Sequence, residues 1–189
     1  MSEKPTPANM SESTKIPEEI AVFSDAIEAE IDRHLAKYPI PRSAILPLMF
    51  IVQRERGWID PPGVAYLAKR LGVRITDIWE VGTFYSMINM EPVGKYHIQI
   101  CKTLSCKIMG EPKITEHVCS RLGVKPGGTS DDGQFTVSLV ECLGSCGTAP
   151  MFQIGFDFHE NLTPEKVDQI IDQCKKNEYE FRVGVEPSA

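Results

Sequence analysis

The hydrophobic period of this chain changes once, at Pro92-Val93-Gly94, and that change limits what each half can fold into. Before it, apolar residues recur at helical steps of three and four; after it they alternate, the period of a strand. Ile20, Phe23, Ile27, Ile31 and Leu35 make a first helical stripe that ends before Tyr38-Pro39. Ile45, Leu48, Met49 and Val52 make a second, closed by Gly57. Pro47 lies inside it, which a helix tolerates in its first turn or beside a kink. Asp60 followed by Pro61 and Pro62 reads as a cap with prolines at positions whose amides need no helical partner. Val64, Leu67, Ala68 and Leu71 follow, and Gly72 stops them. A short piece from Thr76 to Val81 precedes the stretch GTFYSM. Residues 18–90 are therefore expected to form three or four short helices, a bundle small enough to gain much of its stability by packing against something else.

Beyond the change, KYHIQI reads as a strand and GEPKITEHVCSRLG as a helix with Ile114, Val118 and Leu122 on one face. KPGGTSDDG is loop. FTVSLV is a second strand, with Phe135, Val137 and Leu139 alternating with polar residues, and MFQIG and FDFHE are a third and fourth that turn at Gly155. Thr163-Pro164-Glu165 announces a last helix with Val167, Ile170, Ile171 and Cys174 on its apolar face. The order β-α-β-β-β-α over 91–177 fits a small sheet covered by helices, an α/β arrangement of thioredoxin-like kind that an unrelated α+β sandwich would also produce. Residues 1–17, polar and rich in Pro and Ser, are expected to be a disordered leader, and 178–189 a tail.

Composition bounds the chemistry. A net charge of −6 without a basic stripe argues against a nucleic-acid partner. The first nineteen residues carry no apolar signal region and no Arg, and no apolar run is long enough to cross a bilayer. The expected location is the cytoplasm, and six cysteines in a reducing compartment point to metal or redox work before disulfides.

Cys101 and Cys106 directly follow the first strand; Cys142 and Cys146 follow the second. If those strands lie parallel and adjacent, joined by a right-handed crossover through the helix at 112–122, both pairs emerge at one sheet edge and four thiols converge. A thioredoxin-type dithiol needs C-x-x-C, which is absent here. Gaps of four and three residues suit structural zinc or, with more comfortable reach, a two-iron centre in which each pair holds one iron. Gly110, Gly144 and Gly147 let backbone amides approach such a centre, and Lys102 and Lys107 would add favourable charge. Cys119 and Cys174 read as packing residues. His34, His97, His117 and His159 are isolated, although His97, four residues before Cys101, leaves a three-Cys, one-His set open. No nucleotide cradle or nucleophile motif is present, so a redox centre here takes electrons from a partner and returns them to one.

Seven further stretches carry a resemblance: PIPRSAILPL at 39–48, GWI at 57–59, VGTFYSM at 81–87, PVGKYHIQIC at 92–101, C-x3-G at 106–110, ECLGSCGTAP at 141–150 and NLTPEKV at 161–167. From about Glu19 to Gln173 the chain resembles the small thioredoxin-like [2Fe–2S] ferredoxin subunits of respiratory NADH:quinone oxidoreductase, complex I. That family includes the small subunits of NAD-linked hydrogenases and formate dehydrogenases. The resemblance implies one [2Fe–2S] cluster held by Cys101, Cys106, Cys142 and Cys146, with no catalytic site in the chain itself. It also implies docking onto a larger flavoprotein subunit that holds FMN, a [4Fe–4S] cluster and the NADH site, beside further complex I subunits. On this reading the chain is peripheral on the inner face of the cell membrane and not inserted in it. GTFYSM then joins the helical segment to the ferredoxin domain and the flavoprotein, where simple core packing is the alternative. One departure is Gly155, where the family commonly has Asn. A zinc-stabilised interaction module is the competing reading.

Overall fold

The structure, a computed structural model, describes residues 20–180. The expected leader at 1–17 and the end of the expected tail, 181–189, lie outside the described residues. The chain divides into two compact units at Glu91/Pro92.

The first unit is helical: α1 (Asp25–Leu35), a 3-10 turn (Pro41–Ala44), α2 (Ile45–Arg56), α3 (Pro61–Leu71) and α4 (Ile75–Phe84). Pro47 is the third residue of α2, in the first turn, where a missing N–H costs little. Asp60 caps α3 by accepting from the Gly63 amide at 2.9 Å, and its prolines occupy the first helical positions. Gly57 and Gly72 end α2 and α3 with left-handed backbones. The unit encloses a core of its own, in which Ile31, Leu48, Met49, Ile51, Val52, Leu67 and Ile78 are fully buried. Buried Glu30 accepts two hydrogen bonds from Arg54, at 3.0 and 2.8 Å. That contact holds its carboxyl below the ordinary carboxylate range.

Two expectations need correction here. The first helix starts at Asp25 and not at Ile20, where the apolar stripe begins; Ile20 to Ser24 are not helical, and Phe23 reaches the core from that segment by an edge contact with Tyr66 at 4.7 Å. The fourth helix runs through Gly82 to Phe84. Gly82 is there because the side chains of Met90 and Met49 occupy the space a Cβ would need. As a result Phe84 is 80% exposed and Tyr85 is exposed beside it, so the core-packing reading of these two aromatics fails.

The second unit is a four-stranded sheet of β1 (Tyr96–Cys101), β2 (Phe135–Val140), β3 (Phe152–Ile154) and β4 (Asp157–His159), in the order β2-β1-β3-β4. β1 and β2 are parallel; β3 is antiparallel to β1 and to β4. The crossover from β1 to β2 carries α5 (Leu104–Ile108) and α6 (Glu111–Leu122), and α7 (Pro164–Lys175) follows β4. Tyr96, Ile98, Ile100, Phe135, Val137, Phe152, Ile154 and the apolar faces of α6 and α7 form the core. The second unit thus has the helix-covered α/β sheet that the order of elements predicted. Gly94 packs so close to the next segment that a Cβ would sit 2.8 Å from the Gln134 backbone, a physical reason for glycine in PVGKY. Leu139 does not enter the core; at the end of edge strand β2 it is 37% exposed. Gly155 turns β3 into β4 with φ +59, a conformation that Gly and Asn accept more readily than other residues.

Candidate metal centre

Cys101 is the last residue of β1, where its amide donates to Met151 O at 3.2 Å. The chain turns at Thr103 into α5, a single short helix that carries Cys106 back toward Cys101. Cys142 lies two residues past β2, and Cys146 opens a 3-10 turn (Cys146–Thr148). Because β1 and β2 are parallel and in register from Tyr96↔Phe135 to Cys101↔Val140, both cysteine loops leave the same end of the sheet.

The thiols come as two pairs of different character. Cys101 and Cys106 are each only 2% exposed, in a small apolar nest with Ala149, Met151 and Leu143. Cys142 and Cys146 are exposed, with their sulfurs 3.5 Å apart. Among the described residues, no three His, Cys, Asp or Glu side chains gather closely enough to hold a single metal ion. The two pairs interact mainly within themselves.

Hydrogen-bond donors aim at the sulfurs. Thr103 Oγ1 lies 3.1 Å from Cys101 Sγ, and the Gly144 amide donates to Cys142 Sγ at 3.4 Å. Burial pushes the Cys101 thiol up, but the Thr103 hydroxyl and the Thr103 and Leu143 amides outweigh it, leaving Cys101 below the ordinary thiol range. Burial, then Cys101 beside it, pushes Cys106 up to about 11, against a hydrogen bond from the Met151 amide. The Gly144 amide leads the lowering of Cys142, aided by Cys146 and the Thr103 hydroxyl. Cys146 is raised by Cys142 and relieved by the Ser105 hydroxyl. Thr103, Ser105 and Leu143 therefore each reach across from one cysteine loop to the other. Gly144, with φ +88, is at a position that strains any side chain; a Cβ on Gly147 would meet open space, so nothing in this chain requires that second glycine.

The other sequence candidates lie elsewhere. His97 Nε2 is 2.8 Å from Ser138 Oγ within the sheet, roughly 13 Å along β1 from Cys101 at strand spacing. The three-Cys, one-His set is thereby removed. Cys174 is fully buried on α7 and Cys119 is half-buried on α6. Lys102 pairs with Glu141 at 3.1 Å, so its charge is shared with a carboxylate. Sequence reading missed Thr103, Ser145, Thr148 and Glu160. The Ser145 hydroxyl and Thr148 Oγ1 both donate to the Glu160 carboxylate, the second at 2.6 Å, which holds that carboxyl below its usual range. Thr103 was within reach of inspection, two residues from Cys101; Glu160 had no periodic or motif signal.

An iron–sulfur centre fits this donor set: four thiols in two pairs, an apolar wall on one side, and backbone amides aimed at sulfur. Comparisons with known proteins agree with it. The sequence profile of the thioredoxin-like [2Fe-2S] ferredoxin family matches residues 31–175. An NADH-quinone oxidoreductase subunit of Rhizobium meliloti is 39% identical over 149 residues, covering 79% of this chain and 89% of that protein. The corresponding NADH-quinone oxidoreductase subunit of Rickettsia felis is 44% identical over 142 residues, 74% of this chain and 85% of its own. That of Thermus thermophilus is 42% identical over 152 residues, 79% and 84%. In structure, an NAD+-reducing [NiFe]-hydrogenase crystallised in the air-oxidized state aligns with TM-score 0.61 at 20% identity, over 69% of this chain. This chain spans only 23% of that hydrogenase chain, and the likeness is one of fold.

Proposed function

The chain belongs to the thioredoxin-like [2Fe–2S] ferredoxin family, and from that premise we propose that it is the small ferredoxin subunit of an NADH:quinone oxidoreductase. In this role it carries one [2Fe–2S] cluster that exchanges single electrons with the FMN of a partner flavoprotein. The observation that carries the reading is the pairing of thiols at the shared end of β1 and β2. Cys101 and Cys106, the inner pair, would hold one iron, and Cys142 and Cys146, the outer pair, the other. When bound there, the cluster supplies one-electron acceptance and return. The residues of the chain do the rest. Thr103, Leu143, Gly144 and Met151 point N–H groups at the thiolates, which lowers the cost of gathering four negative sulfurs. Ala149, Met151 and Leu143 keep water from the inner pair, while the exposed outer pair leaves one side open to a partner.

Zinc is the weaker reading, because it takes four ligands around one ion and these thiols are arranged as two pairs. The small-subunit role in an NAD-linked hydrogenase or formate dehydrogenase is weaker too, since the relatives that match along most of their length belong to NADH-quinone oxidoreductases. NADH and FMN belong to the flavoprotein, which also carries a [4Fe–4S] cluster, and exposed Phe84 and Tyr85 are part of the surface that meets it. No helix among the described residues is long and apolar enough to cross a membrane; the chain sits peripherally on the inner face of the cell membrane through the complex. Mixing the purified protein anaerobically with its flavoprotein and NADH tests the function. NADH should reduce the cluster when the flavoprotein is present and leave it oxidised when it is not. Reduction by NADH without the flavoprotein, or none with it, would contradict the assignment.

A further inference from the structure

Glu160 lies between β4 and α7 and belongs to neither cysteine loop, yet its carboxylate accepts hydrogen bonds from the hydroxyls of Ser145 and Thr148. Those residues flank Cys146, and their hydroxyl oxygens are 2.6 Å apart. Glu160 is also tied to the entry of α7 and, through its neighbours, to the backbone of the loop. Its carbonyl accepts from Lys166 Nζ at 2.5 Å, in the first turn of α7. The next residue, Asn161, has φ +48 and donates its amide to Thr148 O at 2.7 Å. Buried Leu162 donates its amide to Pro150 O at 3.0 Å. The loop with the exposed thiols is thus hung from the entry to α7. Its internal ties are few: the Thr148 amide to Ser145 O at 3.2 Å and the Gly144 amide to Cys142 Sγ at 3.4 Å.

The choice of a carboxylate has an electrostatic consequence. A neutral amide oxygen would accept the same two hydroxyls. A carboxylate accepts them roughly twice as strongly, and it places a negative charge beside a segment that already gathers thiolates. Adding an electron to a negative centre is harder when another negative charge is near.

We propose that Glu160 is a positioning residue for the exposed thiol pair: by holding Ser145 and Thr148 it fixes how Cys146 is presented, and its charge keeps the reduction potential of the bound cluster low. This rests on the cluster assignment made above.

The test compares the full-length wild type with Glu160→Gln and Glu160→Ala, all purified anaerobically. The readouts are midpoint potential, the electron-paramagnetic signal of the reduced state, and the rate of iron loss to a chelator. Wild type is measured first: if it holds no iron–sulfur centre, the functional reading fails, whatever Glu160 does. Given a loaded wild type, Glu160→Gln should shift the potential upward with the line shape kept. Glu160→Ala should alter the line shape and release iron about tenfold faster or more, the scale of loss seen when an outer hydrogen-bond partner of a metal site is removed. Wild-type potential, signal and release rate in both variants would overturn the proposal. So would a loss of stability in Glu160→Ala with the potential unmoved in both. If the alanine variant fails to fold, Glu160→Gln decides: an unshifted potential overturns the proposal.

Discussion

Cys101 ends β1 directly opposite Val140, the last residue of the parallel strand β2. The second cysteine loop therefore begins at the point where the first thiol leaves the sheet, and sheet register brings the two pairs together. Two pairs held this way imply that neither is dispensable. Each of Cys142→Ala and Cys146→Ala is predicted to lose the cluster and loosen its loop, since metal binding and local folding are coupled. Iron content and visible absorption measure this directly; values equal to wild type in both variants would remove the ligand assignment.

The remaining cysteines should behave as packing residues. Cys174 is fully buried, and Cys174→Ser places a hydroxyl in an apolar site, at a predicted cost of about 1–3 kcal/mol. Cys119→Ser, at a half-buried position, should cost less. Both variants should keep wild-type iron and sulfide content. Loss of the cluster from Cys119→Ser in a folded protein would show that the division into ligands and packing residues is wrong.

In the helical unit, exposure separates two apolar residues that sequence alone cannot rank. Ile51→Ala, in the core of the first unit, is predicted to cost about 2–5 kcal/mol. Phe84→Ala should stay within about 0.5 kcal/mol of wild type while weakening association with the flavoprotein. Urea denaturation and a binding titration read the two effects separately; an unchanged affinity would take Phe84 out of the interface.

The account also predicts an acid-sensitive contribution from His97. Burial pushes its imidazole down to about 4 in the folded state, below the ordinary value of about 6.5. Between these values the unfolded chain binds the proton more readily than the folded one. The contribution is therefore present in full above about pH 6.5 and is lost as the pH falls toward about 4. Denaturation midpoints measured through that window should fall more steeply for wild type than for His97→Asn, and equal slopes would contradict the burial argument.

Much of this was legible in the sequence because it is periodic. The change at Pro92-Val93-Gly94, the caps at Asp60 and Thr163 and the apolar face of α7 are all local signals, and each appears where its spacing put it. What escaped has no local signature. α5 has five residues, too few for a helical period to show. Ile20 and Phe23 fit the helical spacing of α1 yet precede its cap at Ser24. Gly82 reads as a helix breaker, but it lies inside α4, where the methionine side chains beside it leave no room for a Cβ. Glu160 meets Ser145 from fifteen residues away, a tertiary contact that no period or motif announces. The same holds for the split into a buried and an exposed pair: C-x4-C and C-x3-C look alike on paper, and only the nest of Ala149, Met151 and Leu143 distinguishes them.

The central claim is that the two thiol pairs hold a redox-active two-iron centre, and one measurement tests it most directly: the absorption spectrum of anaerobically purified protein, oxidised and then reduced with dithionite, with iron and sulfide counted on the same sample. The account predicts a red-brown protein with broad visible bands that bleach on reduction, and about two irons and two sulfides per chain, as the cluster type requires. A colourless protein holding one tightly bound zinc would contradict it and make the chain a metal-stabilised interaction module.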